Sequence, residues 1–283
     1  AITALIPAFG IRERDYVKPQ SSYLPLFKSM VATFRIKHFR ALMWPFLIMQ
    51  IAFAFFNTAM LFYIDTLLGL NEGFATIVLG LSIVIGIATY PLVNFLARRF
   101  GKRPPLLFAC GCYFFIYLGI YFCVPIATAL GSDPVSAGPL AVLSSLAGPG
   151  ATSGEVLFAL ALGVAIAFPI ACTNILPLAS FADIAQYDEI LSGINKSGMF
   201  MAVRTFLSSL SNAVIVAVIG WMMYAGAPNP EYPTFFGVQL TALVAAVTVL
   251  AAMLLYARYN DPLVVATINQ HKAAESPQGS EAV

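Results

Sequence analysis

Asp183, Asp188, Glu189, Lys196 and Arg204 are the charged residues of one stretch, Pro177–Arg204, set between two apolar segments, Val156–Ala182 and Thr205–Pro230, that carry no charge at all. A carboxylate at the polar end of a membrane helix is costly unless it is paired. If Ser192–Asn195 form a turn, Asp183 and Arg204 come to similar depth on adjacent antiparallel helices, and pairing them avoids a lone buried charge. Asp183 and Tyr187 share a helix face at i,i+4. Asp188 and Glu189 lie nearer water, and Tyr187 reads equally as an anchor at the membrane surface. A second polar run, ARRFGKRPP, places Arg98, Arg99, Lys102 and Arg103 around Gly101, which permits a tight turn. These cations either fix topology or pair with carboxylates at neighbouring helix ends as a gate. Asn57, Asn174 and Thr173, with Pro169 offering a local helix break, are uncharged polar residues inside apolar segments. They line a cavity or bond neighbouring helices. Tyr63 and Asp65 read as interfacial.

Nothing resembles a catalytic constellation. His38 and His271 fall outside the apolar segments, and there is no Ser–His–Asp, metal or phosphate-binding motif. A membrane enzyme using Asp183 as an acid needs a second polar catalytic group at the same depth besides Arg204, and the sequence supplies none.

The elements that must position these residues follow from composition. The chain is 60% hydrophobic and 10% charged, with mean hydropathy +0.85, whereas soluble domains carry about 25% charged residues. That predicts an all-α polytopic membrane protein in a lipid bilayer, and the net charge of +2 gives no reason to expect a nucleic-acid partner. Cys110, Cys112, Cys123 and Cys172 lie in apolar runs and read as packing residues. Spans of about 20 apolar residues are placed at about 41–68, 73–97, 105–130, 153–180, 198–225 and 234–257, which makes 41–258 a six-helix transmembrane bundle. Residues 1–10 read as the end of a preceding membrane helix. Residues 11–40 form a basic linker in which Leu24, Phe27, Val31 and Phe34 recur at helical spacing, either as a surface helix or as plain linker. Residues 259–283 read as a polar, disordered tail. All 15 Lys and Arg fall in residues 12–40, 98–103, 181–204 and 258–272, on one side of an alternating six-span bundle. The positive-inside rule makes that side cytoplasmic, with linker and tail.

The run ADIAQYDEILSGINKSGMFMAVRTF resembles the segment following the tenth helix of the glycoside–pentoside–hexuronide:cation symporters, the melibiose-permease-like branch of the major facilitator superfamily. The matching residues are Asp183, Tyr187, Asp188, Glu189, Gly193, Gly198 and Phe200. RRFGKR resembles the family's connector between helices eight and nine, and Phe39–Arg40 its entry to helix seven. The resemblance implies the C-terminal half of a major facilitator superfamily fold, whose N-terminal six-helix half is its partner. It also implies a sugar-like solute, Na⁺ or H⁺ as coupling ion and, for a bacterial symporter, an inner-membrane location. The charged residues themselves give the cytoplasmic gate reading, with Asp183, Arg204, Arg98, Arg99, Tyr187 and Glu189 as its members. Two positions depart from the family pattern. Gln186 stands where members often have a second Asp, and Ser209 about where many carry a Lys. These departures are what a non-transporting receptor or scaffold would show.

Overall fold

The computed structural model describes residues 34, 36–135, 143–193, 197–224, 234–259 and 266–267. Residues 1–10, the linker through 33, Asn195, Lys196 and nearly all of the tail lie outside the described residues, and with them the expected surface helix.

Eight α-helices are described: α1 (Lys37–Phe62), α2 (Glu72–Phe100), α3 (Arg103–Tyr121), α4 (Cys123–Leu130), α5 (Ser144–Ala147), α6 (Ser153–Ser192), α7 (Ser197–Met223) and α8 (Phe235–Arg258). Six segments are long and apolar enough to cross a membrane: Phe39–Leu67, Glu72–Phe100, Arg103–Tyr121, Ser153–Ser192, Ser197–Met223 and Phe235–Arg258. The count matches the hydropathy reading, and the differences are local. The first span ends in a π-helical turn, Tyr63–Leu67. The third breaks at Phe122, so that α3 and α4 share it. The fourth does not stop near residue 180 but continues as helix through Ser192.

Local chemistry sets these boundaries. Thr152 and Glu155 form a reciprocal capping box that starts α6, and Gly193, at φ 67°, ends it in the left-handed conformation. Gly101, at φ 84°, turns the chain between α2 and α3. α3 then opens on Pro104 and Pro105, where a missing N–H costs nothing. Thr234 caps α8 through the Gly237 amide.

The packing repeats itself. α1 packs against α8 and α7, and α6 packs against α3 and α2. α3 and α8 pack on each other at the back of the bundle. Exchanging the first three spans with the last three maps this pattern onto itself. Because α1 and α6 run in opposite directions, the two three-helix units are inverted repeats, the arrangement many secondary transporters use. α2 and α7, which occupy equivalent places, are the least buried of the spans. The core between the units is aromatic and thiol-rich. Tyr63, Tyr113, Tyr117, Tyr256, Phe46 and Phe181 are almost fully buried, as are Cys110, Cys123 and Cys172. Tyr63 is therefore not interfacial as expected: its hydroxyl shares a 3.1 Å hydrogen bond with Thr241 Oγ1. Asp65, on the π turn, is exposed.

Candidate functional site

Arg98, Arg99, Lys102 and Arg103 gather at the end of the bundle where α2 meets α3 and where α6 ends. Lys102 reaches α6, donating to the Ala179 carbonyl at 3.0 Å and forming an ion pair with Asp183. Arg103 reaches the last turn of α8 and donates to the Ala257 carbonyl, the favourable place for a cation at a helix C-terminus. Arg98 and Arg99 remain exposed, Arg99 over the ring of Phe100.

The expected Asp183–Arg204 pair is not formed. Asp183 lies level with the α2–α3 connector, where Lys102, the residue after Gly101, reaches it. The pair is about a quarter exposed, 24% on each side chain, so Asp183 stands at the rim of the bundle rather than deep within it. Tyr187 and Glu189 follow on the part of α6 that runs past this level, both partly exposed. Gln186 is exposed on the same segment.

Arg204 sits near the same depth but turns to two rings, Phe46 of α1 and Phe181 of α6. Its guanidinium carbon is 5.1 Å from the ring centre of Phe46 and 6.0 Å from that of Phe181. Its Nε is buried without an acceptor. Ring faces hold a cation by their quadrupole, but they accept no hydrogen bond in the guanidinium plane.

Immediately beyond Arg204, α7 and α1 face each other with uncharged polar groups. Gln50 Nε2 donates to Ser208 Oγ at 2.7 Å. Arg204, Ser208 and Asn212 follow one another at i,i+4 on α7, while Phe46, Gln50 and Asn57 recur on one face of α1. At ~1.5 Å per residue from the Phe46–Arg204 level, Gln50 and Ser208 stand ~6 Å toward the opposite end, Asn212 ~12 Å and Asn57 ~16 Å. Asn57 and Asn212 are exposed, and Asn57 spends its amide on its own helix, at Phe53 O. Asn174 is exposed on α6, ~10 Å beyond the Phe181 level. Neither Asn57 nor Asn174 bonds a neighbouring helix among the described residues. Thr173 differs. It is buried, with its hydroxyl turned back to the Pro169 carbonyl at 2.9 Å, and it lines no surface.

Three residues of this arrangement were not singled out from the sequence: Gln50, Ser208 and Asn212. The signal was present in an amide within the apolar run FLIMQIAF and in hydroxyl and amide groups four residues apart in RTFLSSLSN. Lys102 was named only as one of four loop cations, because spacing within a loop does not say which cation reaches α6.

Residues 1–260 match the family model described as MFS/sugar transport protein. The chain belongs to this family. None of the curated proteins compared with it matches. Six apolar spans and the family make it an integral membrane protein of the major facilitator superfamily, and the family points to a transporter rather than to an enzyme.

Proposed function

We propose that the chain forms the C-terminal half of a cation-coupled symporter for a sugar, glycoside or related small solute, working with an N-terminal six-helix half. The observation that carries this reading is the polar seam between α1 and α7. Gln50 and Ser208 meet at mid-depth, with Asn57 and Asn212 above them and Asn174 exposed on α6 at a depth between. Uncharged amides and hydroxyls of this kind match the donors and acceptors of a polyhydroxylated solute, and they are costly to present to lipid tails. Transport proceeds by rocking of the two halves around this midplane site, driven by Na⁺ or H⁺.

The basic end is the cytoplasmic side, by the excess of Lys and Arg there, in a bacterial inner membrane. The gate has two parts. Lys102 and Asp183 neutralise each other within this half and stiffen the junction of α3 with α6. Arg98 and Arg99, exposed beside them, meet carboxylates of the other half when the cytoplasmic side closes. Tyr187 and Glu189 extend the same rim, and Arg204 closes the floor beneath the seam.

The test is uptake by the full-length protein in proteoliposomes, using radiolabelled methyl β-D-glucopyranoside with an imposed Na⁺ or H⁺ gradient. Accumulation that collapses with one of the two gradients is expected. Saturable binding without accumulation under either gradient would instead make the protein a receptor, the role to which Gln186 and Ser209 point.

A further inference from the structure

Arg103 on α3 and Tyr256 on α8 each hold a buried donor that finds no acceptor among the described residues: Nε of the arginine and the hydroxyl of the tyrosine. Tyr256 is 1% exposed, and a polar group buried that deeply is costly unless something accepts its proton. Both residues line one small cavity at the basic end of the bundle. Lys102 and Ser180 line it too, with Leu42 and Leu106 as apolar walls, so that α1, the start of α3, α6 and α8 all contribute. Its volume is about 10 Å³, on the order of one water-sized particle. A sugar, a phosphate or a lipid headgroup is too large for it.

The surrounding groups favour an anion over water. Arg103 spends a terminal amino group on the Ala257 carbonyl and keeps its Nε. Lys102 spends two of its three protons, on Asp183 and on the Ala179 carbonyl. The Ser180 hydroxyl has given its proton to the Leu176 carbonyl at 3.0 Å. The charge is also unbalanced. Lys102 and Arg103 stand against Asp183, and Arg204 lies within electrostatic reach of Tyr256 from α7. Water would answer the donors and leave that excess of positive charge, whereas a monatomic anion answers both.

We propose that this cavity binds chloride, with Arg103 Nε and the Tyr256 hydroxyl donating to the ion and Lys102 beside it. The bound ion ties the start of α3 to the last turns of α8, next to the Lys102–Asp183 pair, and stabilises the basic end of the bundle. The proposal goes beyond the transport reading and does not depend on it.

The experiment is thermal unfolding of the detergent-purified full-length protein, followed by tryptophan fluorescence, in sodium gluconate replaced stepwise by sodium chloride or bromide at constant ionic strength. Salts also act on burial in general, so each shift is read as the difference between wild type and Tyr256→Phe, which keeps the ring and removes the hydroxyl. Wild type should gain about 2–4 °C over the variant, saturating with halide as a single site does. In gluconate alone the variant should melt no lower than wild type, because its change removes an unsatisfied donor. If Tyr256→Phe does not fold, Arg103→Lys, which keeps the charge and removes Nε, takes its place. Bromide in crystals of wild type should give an anomalous-scattering peak between Arg103 and Tyr256.

Halide shifts of equal size in wild type and variant overturn the proposal, as does a bromide crystal without that peak. Melting of Tyr256→Phe below wild type by the same amount in gluconate and in chloride overturns it as well, and assigns the cavity to an ordered water.

Discussion

The seam between α2 and α6 and the seam between α7 and α1 occupy equivalent positions in the two inverted repeats, yet they are closed by different means. Between α2 and α6 the contact is between small residues. Ser82 donates to the Gly163 carbonyl at 3.0 Å and to its own helix at Val78 O at 2.8 Å. A Cβ on Gly163 would lie 2.9 Å from Val78 Cγ1 and 3.1 Å from the Val78 carbonyl, and one on Gly86 would meet the Ala167 carbonyl at 3.7 Å. The backbones themselves touch, as small residues allow helices in membranes to do. Between α7 and α1 the contact is made by side chains: one Gln50–Ser208 bond and an arginine on two rings. The cations follow the same division. Lys102, on the α2–α3 side, has a carboxylate, and Arg204, on the α7 side, has none among the described residues. A seam sealed by backbone contact serves as scaffold, while on the proposed transport reading one closed by exchangeable polar groups is where a solute competes.

The largest expected effect comes from breaking the sealed seam. Gly163→Leu forces side-chain volume into a space that Val78 already fills, and overpacking of this kind costs about 1–3 kcal/mol. We expect a lower melting temperature and a reduced monodisperse fraction on size exclusion of the detergent-purified protein. A variant as stable as wild type would show that α2 and α6 slide freely, and the contrast between the seams would fail. The loss should be global, because α6 carries α2, α3 and α4.

A smaller effect is expected where the two repeats differ in charge pairing. Asp183→Asn leaves Lys102 with only the Ala179 carbonyl. Since both side chains are about a quarter exposed, solvent screening holds the loss to about 1 kcal/mol, between the values for exposed and buried pairs. Chemical or thermal unfolding of Asp183→Asn, Lys102→Gln and the double variant should be non-additive. The matching set with Arg204→Gln in place of Lys102→Gln should be additive. Non-additivity with Arg204 instead would restore the pairing expected from the sequence.

That pairing shows where sequence reading reaches its limit. Hydropathy placed the six spans because twenty apolar residues in a row have one inexpensive fate in a bilayer. The charge distribution along the chain placed every basic cluster at one end of the bundle, and among the described residues Lys102 and Arg103 do meet the ends of α6 and α8 there. The depth of Arg204 was legible by counting from the turn near Gly193. The direction of its side chain was not, because whether the arginine reaches Asp183 or the rings of Phe46 and Phe181 depends on helix rotation and packing. Likewise, the helical stretch from Phe181 to Ser192 is too polar to read as a span, but it continues because nothing breaks it before Gly193. Thr173 and Asn174 are neighbours in sequence and about a hundred degrees apart on the helix, so one is buried and the other exposed.

The smallest effects give the sharpest comparison, because the two seams each contain one serine whose hydroxyl bridges helices. Ser82→Ala removes a buried donor from the Gly163 carbonyl, and Ser208→Ala removes the acceptor of the Gln50 amide. Interhelical hydrogen bonds of this kind in membranes average about 0.6 kcal/mol, so both variants should melt within a few degrees of wild type and be nearly indistinguishable by stability. Function should separate them. Ser82 lies where backbone contact excludes everything else, and its loss should leave solute affinity unchanged. Ser208 lies in the open seam, half of a pair that a solute hydroxyl can replace. Its loss should raise KM for the transported solute by about threefold to tenfold, the range a single neutral hydrogen bond supports, with kcat little altered. Gln50→Ala should shift KM in the same direction, and the Gln50→Ala, Ser208→Ala double variant should cost less than the sum, since each single change already breaks the shared bond. Equal KM shifts for Ser82→Ala and Ser208→Ala would mean that the seams act on transport only through bundle stability, and the solute would then have to be sought on other faces, beginning with Asn174 on α6.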